Sequence, residues 1–112
     1  MKIDKELQKG STAMLILSQL ARVDMYGYQI TMELAAASEN LFQLKEGTLY
    51  PLLHALENKG YVEAYWLESE TARRRKYYKI TDTGRKKLTA QQAEWQLYTK
   101  AVDRVIGGAT CA

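Results

Sequence analysis

Residues 45–88, KEGTLYPLLHALENKGYVEAYWLESETARRRKYYKITDTGRKKL, decide how this chain folds. Leu49, Leu52, Leu53 and Leu56 fall at i, i+3, i+4 and i+7, a narrow stripe that buries one side of an α-helix. At about 100° per residue, the opposite side is Gly47, Pro51, His54 and Asn58, flanked by Thr48, Tyr50 and Ala55. Proline costs about 3 kcal/mol inside a helix. Thr48 is therefore expected as the N-cap, with Pro51 in the first turn, where a missing N–H leaves nothing unpaired. An earlier start with a kink is the alternative. Gly60 ends the helix.

Two β-prone runs follow, YVEAYWL at 61–67 and RKYYKI at 75–80. Val62, Ala64 and Trp66 share one face of the first, and Tyr61, Glu63 and Tyr65 the other. The polar link ESETAR makes them an antiparallel hairpin with a projecting tip. Upstream, Lys5 to Ala21 reads as a first helix and Tyr26 to Ala37 as a second, with Ile30 and Leu34 inward. Leu41, Phe42 and Leu44 tuck into the connection 38–47, as a short strand. Thr81 caps a last helix over Asp82 to Ile106. Along it Leu88, Trp95 and Val102 are seven apart, and Gln91, Tyr98 and Val105 repeat this with an offset of three. Such an a/d seam pairs a helix with a second copy of itself. Packing back on its own domain is the alternative.

The 112 residues suit one ordinary domain, mainly α with a small β-hairpin. A 46% hydrophobic, 26% charged composition is that of a globular chain. No apolar run is long enough to span a bilayer. Asp4 and Glu6 interrupt the basic residues at the N-terminus, which therefore lacks a secretory pattern, and the single Cys111 has no internal partner. A cytoplasmic location is expected. The net charge is only +3, but residues 73–87 hold eight basic side chains against Asp82 alone. That window carries +7, so the remainder sums to −4. A concentrated basic patch on an acidic body is the footprint of a phosphate-binding surface, although a lone charge run is often only a solvated face.

The arrangement points to duplex DNA. The major groove admits an α-helix whose base edges are read by hydrogen bonds. Gly47 and Pro51 allow close backbone approach, Thr48 and Tyr50 reach outward, and His54 sits on the same side. Tyr50 has a second reading as packing against the first helix. No Arg, Asn or Gln faces outward in the first two turns, so shape and spacing are expected to carry much of the specificity. Arg73, Arg74, Arg75 and Lys76 at the hairpin supply phosphate contacts. The fold is thus a winged helix-turn-helix over 1–81, a dimerisation helix over 82–108 and a disordered tail over 109–112. An enzyme is not expected, because no carboxylate–histidine cluster, nucleophile–base pair or phosphate-cradling glycine loop is present. Neither metal nor cofactor is expected. A winged-helix module for protein–protein contact is the competing function.

LKEGTLYPLLHALENKGYVEAYW, followed by RRRKYYKITDTGRKKL, resembles the PadR family of bacterial transcriptional regulators, and MYGYQI matches that family's second helix. The resemblance covers about Leu7 to Gly108 and is of the small-subunit type. It implies a C-terminal dimerisation helix and a repressor that blocks a promoter and is released by a small molecule; a two-fold homodimer in turn predicts a palindromic operator. It carries DNA contact to Lys45, Thr48, Tyr50, Pro51 and the wing Arg73 to Lys76. A tryptophan at the place of Trp95 resembles one that, in the multidrug-sensing branch, stacks on flat aromatic ligands between subunits. Trp95, the partner's Trp95, Tyr98, Leu7 and Met14 are then expected to line a pocket. A buried dimer anchor is the other role for Trp95. That branch has an acid one turn after the tryptophan, where this chain has Thr99. The difference disfavours cationic drugs and leaves phenolic acids and neutral planar compounds as expected effectors.

Overall fold

The computed structural model describes residues 10–68 and 74–107. Its elements are α1 (Thr12–Arg22), β1 (Met25–Tyr26), α2 (Gly27–Ala37), α3 (Glu46–Asn58), β2 (Val62–Glu68), β3 (Arg74–Ile80) and α4 (Asp82–Ile106). The strands form one antiparallel sheet in the order β1-β3-β2. Ile16, Leu17 and Leu20 of α1, Ile30 of α2 and Leu49, Leu53 and Leu56 of α3 meet Met25, Val62, Tyr78 and Ile80 of the sheet in one core. Each helix thus contributes one stripe, and the sheet its inner face.

Several boundaries differ from expectation. The first helix does not run unbroken from Lys5: a turn at Gly10–Ser11 precedes α1, and Leu7 lies outside the described residues. Glycine and serine are weak helix formers that favour such a break. Tyr26 is not helical. Met25 and Tyr26 pair with Tyr78 and Tyr77 as a third strand. No strand forms at 41–44. Glu39 and Asn40 take positive φ values of 53° and 66°, which turns the chain sharply, and Ser38 Oγ accepts from the Phe42 amide at 2.9 Å.

Thr48 is not the N-cap of α3. Lys45 holds that position with extended backbone, and the Thr48 and Leu49 amides both bond to its carbonyl at 2.9 Å. The earlier start is the one observed. Glu46 enters the first turn, where an acid offsets the helix dipole. Pro51 therefore lies inside the helix. Its missing N–H removes the usual partner of the Gly47 carbonyl, and Gly47 is exposed, so water can serve instead.

α4 is fastened where it begins. Thr81 Oγ1 accepts from the Gly84 amide at 3.0 Å and donates to the Gly60 carbonyl at 2.7 Å. A Cβ at Gly84 would overlap the Tyr61 carbonyl oxygen and approach Ile80 Cγ1 at 2.8 Å, so the helix sits against the root of the hairpin. Leu88, expected in the dimer seam, is only 6% exposed and belongs to the protomer's own core. The first turns of α4 pack on α1, and a side chain buried there has almost no surface left for a partner. Beyond it, Trp95, Leu97, Tyr98, Val105 and Ile106 are exposed, while Gln91 and Val102 are half-buried.

Candidate nucleic-acid interface

Burying Leu49, Leu53 and Leu56 turns the opposite side of α3 outward. Lys45, Gly47, Thr48, Tyr50, Pro51, His54, Ala55 and Asn58 are exposed together along it. Tyr50 packs, but against the second helix and not the first. Its ring lies against α2, where a Cβ on Gly27 would come within 2.8 Å of Tyr50 Cζ, yet the residue remains 38% exposed. Glu46 shares the exposed end, so the positive potential on this side comes from elsewhere.

It comes from the hairpin. The register sets Arg74 opposite Glu68, Arg75 opposite Leu67 and Lys76 opposite Trp66. Strand alternation puts Arg74 and Lys76 on the core-side face and Arg75 on the other. The wing thus presents cations on both faces. Each lies over a ring. The Arg74 guanidinium carbon is 4.9 Å from the Trp66 ring centre, that of Arg75 is 4.4 Å from Tyr26, and Lys76 Nζ is 5.5 Å from Tyr78. A ring beneath a guanidinium fixes its plane and leaves its in-plane N–H groups free. Arg73, expected in the same cluster, lies outside the described residues.

The tyrosines behind Arg75 form a continuous stack. Tyr26 meets Tyr77 edge-on at 5.5 Å, and Tyr77 stacks on Tyr65 at 5.8 Å. Tyr65 Oη donates to Asp24 Oδ2 at 2.5 Å. That bond, then burial, pushes the Tyr65 hydroxyl up to about 12. Burial raises the Tyr78 hydroxyl as well. The contacts of Asp24 and Tyr77, and the pairing of Tyr65 with them, were not expected from the sequence. The density of tyrosines in the two runs was the available signal. Their pairing with Tyr26 depends on β1, which two residues are too few to announce.

A cavity of about 330 Å³ opens beside α4. Met14, Trp95 and Tyr98 line it, together with Gly10, Gln91 and Glu94. The Trp95 and Tyr98 ring centres are 6.2 Å apart. Gln91 Oε1 is buried and has no hydrogen-bond partner. Thr99 is turned back on its own helix, donating to the Trp95 and Gln96 carbonyls at 3.0 and 3.2 Å. The acid at this cavity is Glu94, which the sequence reading did not single out.

A helix-turn-helix core whose third helix faces outward, followed by a cationic two-stranded wing, defines a winged-helix protein of the DNA-binding class. The chain belongs to the transcriptional regulator PadR-like family, whose profile it matches over residues 16–90. It is 33% identical over 106 residues to an uncharacterized protein of Lysinibacillus sphaericus, covering 95% of this chain and 97% of that one. It is also 33% identical over 85 residues to a transcriptional regulator of Mycobacterium tuberculosis, covering 76% of each. Among solved structures, a transcriptional regulator of Clostridium thermocellum superposes with a TM-score of 0.82 at 34% identity, covering 88% of this chain and 96% of that one. A PadR family regulator of Eggerthella lenta gives 0.80 at 35% identity, covering 90% and 86%. The protein is therefore a DNA-binding transcriptional regulator. Among the described residues, no helix is long and apolar enough to cross a membrane.

Proposed function

We propose that the protein is a homodimeric repressor that occupies a palindromic operator and leaves it when a small aromatic ligand binds beside Trp95. One observation carries the reading: one side of the far half of α4 is an apolar surface left uncovered by the described residues, with Trp95 at 42%, Tyr98 at 62% and Val105 at 85% exposure. Isolated exposed apolar residues are ordinary, but a contiguous set on one projecting helix marks an interface. Gln91, Trp95, Tyr98, Val102 and Val105 form the interface, and Leu88 braces it from within each protomer. Lys45, Thr48, Tyr50, Pro51 and His54 face the major groove, and Arg74, Arg75 and Lys76 hold phosphates, with Arg73 of the tip joining them.

The ligand is bound by Trp95, Tyr98 and Met14. Glu94 and the unpartnered Gln91 Oε1 both accept hydrogen bonds, so a flat ligand carrying a donor or a positive charge suits this pocket better than a phenolic acid. Tryptophan-fluorescence titration tests this with a planar aromatic cation and a phenolic acid in parallel. The cation is expected to quench the wild type and not Trp95→Ala. Equal behaviour of wild type and variant with every compound removes Trp95 from ligand binding. A footprint on the DNA upstream of the protein's own gene tests the operator. Protection of two half-sites about one helical turn apart, or a multiple of it, is expected from a two-fold dimer.

A further inference from the structure

Residues 26 and 27 touch both elements assigned to DNA. The Tyr26 ring lies beneath the Arg75 guanidinium of the wing at 4.4 Å. Gly27, the next residue, opens α2 and provides the space in which Tyr50 of α3 lies; a Cβ there would meet Tyr50 at its hydroxyl and within 2.8 Å of Cζ. The two contacts differ in kind. Tyr26 holds by attraction, the ring face beneath a cation. Gly27 holds by leaving room.

We infer that Tyr26 and Gly27 are positioning residues that set the wing and the recognition helix at a fixed separation for one DNA duplex. The wing alone would not keep that separation. Arg74 rests on Trp66, which belongs to the same hairpin and moves with it. Arg75 instead rests on a ring from β1, a strand continuous with α2. The ring under Arg75 is held from behind. Tyr26 packs on Tyr77, Tyr77 on Tyr65, and Tyr65 hydrogen-bonds Asp24, two residues before Tyr26 in the chain. The loop Asp24–Tyr65–Tyr77–Tyr26 closes on itself, so Tyr26 cannot swing without breaking a stack or a short hydrogen bond. The same dipeptide fixes the depth of Tyr50 under α2. A two-residue segment with no assigned DNA contact of its own thereby sets the geometry of two elements that are assigned to touch it.

This rests on the proposed DNA contacts of Arg75 and Tyr50, and the test separates the two. Binding is measured by fluorescence anisotropy on a duplex spanning the DNA upstream of the protein's own gene. Arg75→Ala and Tyr50→Ala alone test the contacts. Tyr26→Leu and Gly27→Ala, alone and combined with them, test the positioning. Tyr26→Leu is expected to weaken binding about three- to tenfold, with Tyr26→Phe close to wild type because the ring remains. In the Arg75→Ala background Tyr26→Leu should add nothing. Likewise Gly27→Ala should weaken binding in the wild type and add nothing in Tyr50→Ala, where the clash is gone. Thermal melting accompanies every variant, and Tyr26→Met replaces Tyr26→Leu if the latter does not fold. Full, undiminished losses in the Arg75→Ala and Tyr50→Ala backgrounds, or wild-type binding by Tyr26→Leu and Gly27→Ala, overturn the inference. If Arg75→Ala and Tyr50→Ala themselves bind like wild type, the contact assignment fails instead.

Discussion

At the scale of single residues, charge and hydrogen bonding separate cleanly. Among the described residues, neither Arg74 nor Arg75 is held by a carboxylate, so both charges remain available to phosphate. Each phosphate contact contributes about 0.9 to the slope of log affinity against log salt. Removing both guanidiniums in Arg74→Ala/Arg75→Ala should therefore lower affinity and reduce that slope by about 2, measured on one duplex across a salt series. An unchanged slope would place both side chains off the DNA backbone. Tyr65 offers a pH handle. Its hydroxyl is raised from 10.0 to about 12 in the folded protein, so the folded state holds the proton more tightly than the unfolded one. Its contribution is complete below pH 10 and is lost as pH rises through about 12. Melting temperature should fall more steeply over that window in wild type than in Tyr65→Phe. Tyr78, also raised, titrates in both proteins and cancels in the comparison.

At the scale of elements, the sequence was most readable where periodicity was long. The leucine stripe of α3, the paired runs of β2 and β3 and the Thr81 start of α4 all follow from patterns of several residues. The failures share a cause. β1 is two residues long, and two residues carry no period. The start of α3 was misplaced because Pro51 was weighed as a local penalty, whereas burial of Leu49 and Leu53 outweighs one lost backbone bond. Leu88 looked like seam because its spacing to Trp95 fits a heptad, and spacing cannot tell a partner's surface from the protein's own α1. In the candidate site, the exposed side of α3 was legible, whereas the Tyr26–Tyr77–Tyr65 contacts were not, since they join residues distant in the chain. Thr81→Ala tests the element boundary that was read correctly. It removes the cap on Gly84 and the bond to Gly60, and should cost about 1 kcal/mol, or about 4 °C of melting temperature at this size. A melting point equal to wild type would mean that α4 needs no cap.

At the scale of the whole molecule, the protomer is elongated, 60 × 31 × 21 Å, because α4 runs past the core that anchors it. Tyr98→Asp or Val105→Asp, each placed on the exposed seam side of α4 remote from the core, should yield a monomer by light scattering with an unchanged circular dichroism spectrum. Operator affinity should then drop sharply, because one half-site must be bound without the other. A dimer that survives both changes would put its interface elsewhere. Dimerisation would also make the melting temperature rise with protein concentration. The fastening of Thr81 to Gly60, and of Gly84 against Tyr61, gives α4 a mechanical meaning. A helix of 25 residues is a rod of roughly 37 Å. Clamped at one end, it acts as a lever arm: a tilt of about 5° at its far end displaces the clamped head by about 3 Å, close to the ~3.4 Å rise of one base pair. In the proposed dimer, a change at the tip too small to unfold anything would move the two reading heads by one step along the DNA.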